Sequence, residues 1–154
     1  MYERTYGYLY ERNRLVKDDA ALIRRTIKTL AKGGLIPADW SYSVRYRSYA
    51  GGCSIDVKAT SPRPIYAAEP DTYEHPWATN VETGEQVHAW KDRLTIEARN
   101  VLDTLSELHD ACNHNGCETQ VDYFDVKFYG VPGIEGPTVD GNRFSPPAMI
   151  GAEG

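Results

Sequence analysis

The stretch SVRYRSYAGGCSIDVKA, residues 43–59, decides the fold. Val44 and Tyr46 alternate with Arg45 and Arg47, and then Cys53, Ile55 and Val57 alternate with Ser54, Asp56 and Lys58. A period of two is the spacing of a strand with one buried and one solvated face. Between the runs, Tyr49-Ala50-Gly51-Gly52 reads as the turn, because glycine tolerates the positive φ angles of tight hairpins. The result is a β-hairpin, charged on one face and apolar on the other, with helices covering only the apolar face.

Upstream, Val16, Ala20, Ile23, Ile27, Leu30 and Ala31 recur at helical spacing. Asp18 and Asp19 stand where carboxylates favour a helix N-terminus, and Arg24, Arg25, Lys28 and Lys32 stand toward the other end. Gly33-Gly34 and then Pro37 stop this first helix. Before it, Tyr6, Tyr8 and Tyr10 lie two apart, as in a short strand or an ordered arm.

Downstream, residues 61–82 lose the period and carry Pro62, Pro64, Pro70 and Pro76, a long loop for a small domain. The next segment has two readings. WATNVETGEQVHAW, residues 77–90, could be a hairpin with Trp77 facing Trp90 across Thr83-Gly84. Alternatively, Thr83 and Gln86 have capping-box spacing, and Val87, Trp90, Leu94, Ala98, Val101, Leu105, Leu108 and Cys112 form one series at steps of three and four. Continuity favours a helix from about 84 or 91 to His114, capped by Gly116. ETQVDYFDVKFYG, residues 118–130, reads as a last strand, with Phe124, Val126 and Phe128 on one side. On the other side are Tyr123, Asp125, Lys127 and Tyr129. The expected fold class is α+β, a small antiparallel sheet with two helices packed on one face in the order α-β-β-α-β. Residues 1–130 form one domain in this reading. Residues 131–154, rich in proline and glycine, form an extended, poorly ordered tail.

A chain of 154 residues with 41% hydrophobic and 25% charged residues is of ordinary globular composition. A formal net charge of -5 argues against a dedicated duplex-DNA binder, though not against a local basic patch. No apolar run reaches the roughly 20 residues that span a bilayer, so no membrane partner and a cytoplasmic location are expected. The three cysteines, Cys53, Cys112 and Cys117, are then expected as thiols. Eleven tyrosines suit a binding surface and a sheet equally well.

Three candidate sites emerge. The charged hairpin face, with Arg45, Arg47 and Lys58 and with Lys127 as a further candidate, has the residues to hold an acidic partner, and Tyr49, Tyr123 and Tyr129 add stacking surface. Arginine with aromatic side chains on a sheet serves both protein interfaces and single-stranded nucleic acid. The plainer alternative is cross-strand pairing of Arg45 or Arg47 with Asp56 or Asp125. Tyr66, Tyr73 and Trp77 in the long loop are further contact candidates. The second site is HDACNHNGC, residues 109–117: His109, Cys112, His114 and Cys117 could make a tetrahedral zinc site. Their spacing fits no familiar zinc motif, and Cys112 also belongs to the apolar series. The third is Cys53 with His75 or His88 as base, but Cys53 shares the apolar face of Ile55 and Val57, as a packed thiol would. No phosphate loop or dinucleotide fingerprint is present, so neither catalysis nor an organic cofactor is expected.

The string YSVRYRSYAGGCSIDV, residues 42–57, resembles the core motif of small domains associated with phage and plasmid polyvalent proteins. In that family a helix precedes an (F/Y)SVR strand, a Gly-Gly turn and an SI-polar-V strand, and a later strand carries Tyr and Asp as VDYFDV does here. The resemblance covers residues 20–60 and 120–129, and Arg45, Tyr49, Gly51, Gly52, Ser54 and Asp56 match it. Ala50 stands where the turn often has serine, and Cys53 stands at a small variable position. The resemblance implies a non-enzymatic accessory protein of a phage or mobile element. Such a protein would bind a host macromolecule in the bacterial cytoplasm, to counter host defence or redirect a host protein. A nucleic-acid-binding module using the Arg/Tyr face is the alternative, followed by a zinc-stabilised binding domain.

Overall fold

A computed structural model describes residues 5–68, 77–115, 126–137 and 143–144. The strands are β1 (Thr5–Tyr6), β2 (Ser41–Tyr49), β3 (Gly52–Thr60), β4 (Ala78–Thr79), β5 (Gln86–Val87), β6 (His114–Asn115), β7 (Gly133–Pro137) and β8 (Arg143–Phe144). The helices are α1 (Val16–Lys32) and α2 (Ile96–Ala111). The main sheet has the order β2-β3-β7-β8, and the short pairs β1-β6 and β4-β5 stand apart from it. The α+β class and the core order α-β-β-α-β hold.

The hairpin forms as its alternation demands. Val44 pairs with Val57, Arg45 with Asp56 and Arg47 with Ser54, and Tyr49 and Gly52 close the turn. Gly51 there has a φ of 93°, which only glycine adopts without strain. Ile55, Val57 and Ala59 are buried against Ile23 and Ile27 of α1 and against Val101, Leu105 and Leu108 of α2, so both helices cover one face. Helix α1 ends at Gly33, as read from sequence.

The sheet is mixed, which corrects the expectation of an antiparallel one: residues 58–60 of β3 pair in parallel with residues 133–135 of β7. The intervening α2 supplies the crossover that parallel neighbours require. The stretch expected as the last strand is only partly described. Its end, residues 126–130, lies beside β3, where Tyr129 accepts from the Ile55 N–H and donates to the Cys53 carbonyl. Gly130 then bulges at a φ of 120°, so close to the Ile55 carbonyl that any Cβ would collide with it. Beyond it, residues expected in an extended tail return as β7, where Ile134, Glu135 and Gly136 are buried.

Helix two is shorter than expected. Thr95 caps its start, accepting from the Ala98 N–H at 3.1 Å, and Glu82 accepts from the Ile96 N–H at 2.6 Å. Residues 77–90 instead form the hairpin alternative, with Gly84 in its turn region, although Trp77 meets His88 rather than Trp90, at 5.1 Å between ring centroids. Asn80 organises that turn. Its amide donates to the carbonyls of Asp92 and Leu94, and its oxygen accepts from the N–H groups of Glu82 and Thr83. The apolar series is buried at Val87, Leu94, Ala98, Val101, Leu105, Leu108 and Cys112 even though its first part is not helical.

A buried ionic node joins distant parts of the chain. Asp19 in α1 is wholly buried, and its two oxygens are held by Arg14 and, at 2.6 Å, by Lys127. Arg14 also donates to the Leu9 carbonyl. Lys127 donates to the Glu11 carbonyl at 2.8 Å and lies 5.4 Å from the centre of the Tyr10 ring. The N-terminal arm is further fixed where Gly7 and Leu9 donate to the carbonyls of Asn113 and Ala111. Because removing one partner leaves a buried charge uncompensated, Asp19→Ala is expected to cost about 3–5 kcal/mol. Urea unfolding measures this, and a loss below about 1 kcal/mol, the range of an exposed pair, would contradict the assignment.

Candidate functional site

On the charged face of the hairpin, β2 presents Arg45, Arg47 and Tyr49, and β3 presents Asp56 and Lys58 beside them. Arg47 Nε lies 2.7 Å from Asp56, a cross-strand diagonal pair with both side chains about two-fifths exposed. Lys58 Nζ lies 3.1 Å from the Glu135 carboxylate on β7. The exposed Arg47–Asp56 pair contributes modestly to stability, about 0–1 kcal/mol. Arg45 is exposed and makes no ion pair with any described residue. The pairing alternative therefore holds for Arg47 with Asp56, and Asp125, the other partner it names, lies outside the described residues.

At the turn end of this face two tyrosines flank Gly52. A Cβ built on Gly52 would lie 3.0 Å from the Tyr129 ring and 3.9 Å from that of Tyr49. Both rings stay substantially exposed, Tyr49 at 48% and Tyr129 at 41%. Glycine at 52 thus has a packing reason, since it lets Tyr129 lie close to the strand. Ser54, another residue of the family-like motif, is buried, and its hydroxyl has no hydrogen-bond partner among the described residues. Asp56 serves as the partner of Arg47.

The remaining contact candidates divide. Lys127, expected on this face, turns instead into the Asp19 node. Tyr66 bridges to Leu94 and is half-buried; its phenol pKa is pushed up to about 12 by burial, so it acts as a tether of the loop. Trp77 is 60% exposed and stands away from the sheet on the β4-β5 hairpin. Tyr73 and Tyr123 lie outside the described residues, as does Asp125.

Of the four zinc candidates, the side chains of His109 and Cys112 lie among the described residues. His109 is buried, and its Nε2 lies 3.1 Å from the Ile55 carbonyl. A carbonyl only accepts, so Nε2 carries the proton and offers no lone pair to a metal. The ring meets Phe128 edge-on at 4.9 Å, and Cys112 is wholly buried in the core. The His114 side chain and Cys117 lie outside the described parts, and among the described residues no group of three or more His, Cys, Asp or Glu is placed to hold a metal ion. Cys53 is half-buried, and burial pushes its thiol pKa up, which keeps it protonated and a poor nucleophile. His75, its proposed base, is outside the described residues, and His88 stacks on Trp77.

Sequence reasoning missed Asn113. Its amide donates to the Phe128 carbonyl at 2.8 Å and its oxygen accepts from the Lys127 N–H at 2.8 Å, which seats the segment that carries Tyr129. A polar residue just past a helix end gives no local sign of a partner fourteen residues on.

No family model matches the chain, and neither does any curated protein or solved structure. Among the described residues no helix is long and apolar enough to cross a membrane.

Burial holds the His109 pKa below its ordinary 6.5, so the imidazole is neutral in the fold. The unfolded chain takes up a proton below that value and the folded chain does not, so falling pH favours unfolding. Stability should therefore decline as pH falls through about 6.5, and His109→Gln, which keeps an N–H donor but cannot titrate, should flatten that decline. Denaturant midpoints of both proteins across this window measure the difference, and parallel slopes would refute it.

Proposed function

We propose that this chain is a non-catalytic binding protein, an accessory product of a phage or other mobile element that engages a host protein through the charged face of its β2-β3 hairpin. The observation that carries the reading is the grouping of exposed Tyr49, exposed Tyr129 and exposed Arg45, which has no ion pair among the described residues, on a sheet backed on its other face by two helices. Tyrosine offers large contact area at small conformational cost and arginine a planar fork of donors, the composition of interface hot spots. A sheet braced by two helices holds them in place before a partner arrives, which lowers the ordering cost of association. The mobile-element origin draws only on the resemblance of residues 42–57.

Single-stranded nucleic acid is the second reading, favoured by the two tyrosine rings on either side of Gly52. Bases stack on such rings, and an adjacent arginine neutralises phosphate. Binding of that kind weakens steeply with salt through counterion release.

Arg45→Glu and the double change Tyr49→Ala, Tyr129→Ala are expected to abolish capture of the partner from a bacterial lysate while leaving thermal unfolding within a few degrees of the parent. Native mass spectrometry of the tagged protein identifies the captured species. A folded Arg45→Glu protein that still captures its partner would refute the proposed face. Capture of nucleic acid in place of protein would select the second reading.

A further inference from the structure

The charge of the chain is unevenly distributed. Between residues 20 and 55 stand six cations, Arg24, Arg25, Lys28, Lys32, Arg45 and Arg47, and a single carboxylate, Asp39. That stretch carries +5 on a chain of net -5, which leaves -10 for the rest. Asp39 is itself taken by Arg63, which also holds Glu97 at 2.8 Å. The fold assembles this stretch into one region, the exposed side of α1 and the edge strand β2 packed along it.

β2 pairs only with β3, over all nine of its residues, so its other edge is open among the described residues. The direction of its backbone groups follows from two contacts. Ile55 and Cys53 direct backbone groups to Tyr129, away from β2, so their cross-strand partners Tyr46 and Ser48 direct theirs outward. The Val44 carbonyl likewise points outward, where the Arg24 guanidinium donates to it at 2.8 Å. Tyr42, Val44, Tyr46 and Ser48 therefore present a row of N–H and C=O groups. Between this edge and α1 lies a cleft of about 150 Å³, lined by Ile27, Ala31, Tyr42 and Val44 together with the exposed cations Arg24 and Lys28. It has room for a group the size of an aliphatic side chain or a benzene ring.

We infer that the β2 edge binds an extended acidic polypeptide segment as an added strand. The inference rests on the reading of the chain as a binding protein and adds the partner's chemistry and a second contact region, which shares Arg45 with the first. An added strand satisfies the exposed backbone row, and its side chains alternate between the two faces. One set enters the cleft beside Val44 and Ile27 and is apolar. The other lies beside Arg45 and Arg47 and is acidic. Arg24, freed from the Val44 carbonyl, joins Lys28 against the segment's carboxylates. Nucleic acid could use the cations, but it has no use for the row of backbone donors and acceptors.

The test uses the full chain, nitrogen-15 labelled, and a short synthetic peptide that alternates Asp or Glu with Val or Leu. Controls are the same peptide N-methylated at alternate residues in either register, and a single-stranded oligonucleotide of equal charge. Expected are saturable binding, slowed amide exchange at Tyr42, Val44, Tyr46 and Ser48, and about a tenfold or greater loss of affinity for one N-methylated register. Lys28→Glu should weaken the peptide similarly, and Tyr49→Ala should not. Equal affinity for the parent and both N-methylated peptides would overturn the inference in favour of charge alone. Tighter binding of the oligonucleotide, or no peptide binding, would also overturn it. Capture of a host protein that survives Lys28→Glu but fails with Arg45→Glu would remove the edge and leave the hairpin-face reading intact.

Discussion

A carboxylate with no access to water must be neutralised where it stands, and in this protein that requirement ties the chain together. Asp19 sits on the inner side of α1, and its two oxygens receive cations from opposite directions along the sequence. Arg14 brings the N-terminal arm, through the Leu9 carbonyl, and Lys127 brings the segment that flanks β3. The arrangement is cooperative in a specific sense: losing Asp19 leaves Arg14 and Lys127 without their shared anion, and losing either cation leaves one Asp19 oxygen without its partner. It also sets a direction: once Lys127 points inward to Asp19, Phe128 is buried against His109 and Tyr129 is exposed on the opposite face.

The same geometry separates the two contact regions of the molecule. The face bearing Arg45, Tyr49 and Tyr129 is backed by β3, which is hydrogen-bonded on both sides and cannot move independently. The β2 edge is backed by α1 and bonded on one side only. Natural edge strands avoid unwanted pairing with charges and short length. Here the strand is nine residues long, and the guarding is left to Arg24 and to the arginines at 45 and 47. Those charges repel a second copy of the same strand, and they do not repel an acidic one.

The hairpin and α1 were legible because their patterns are local: Val44 to Val57 alternate, and Ala20, Ile23 and Ile27 step by helical turns. The start of α2 was not, because Val87, Trp90 and Leu94 continue its spacing by coincidence while Asn80 and Thr95 dictate a turn and a cap. Their burial was readable and their conformation was not. β7 was hidden for a different reason. Gly-Ile-Glu-Gly-Pro shows no alternation, and its buried Glu135 finds Lys58 only through the parallel register. Of the candidate site, the residues of the charged face were visible in the alternation of β2 and β3. The proximity of Tyr129 to Gly52 depended on the bulge at Gly130, and the diversion of Lys127 depended on a partner more than a hundred residues away.

The parallel pairing of β3 with β7 has a consequence for synthesis. β2 and β3 can pair as soon as both have left the ribosome, but the second edge of β3 stays bare until residues 133–135 follow. At typical elongation rates that interval is roughly 4–15 s, far longer than a hairpin needs to form. Until residues 96–111 follow, the nascent hairpin exposes Ile55, Val57 and Ala59 without α2 to cover them, and until residues 133–135 follow it carries an open edge on both sides. A protein built in this order benefits from a holding chaperone, or from very fast closure once α2 emerges, and its yield in cells should depend on translation speed across residues 61–137 more than on the stability of the finished fold.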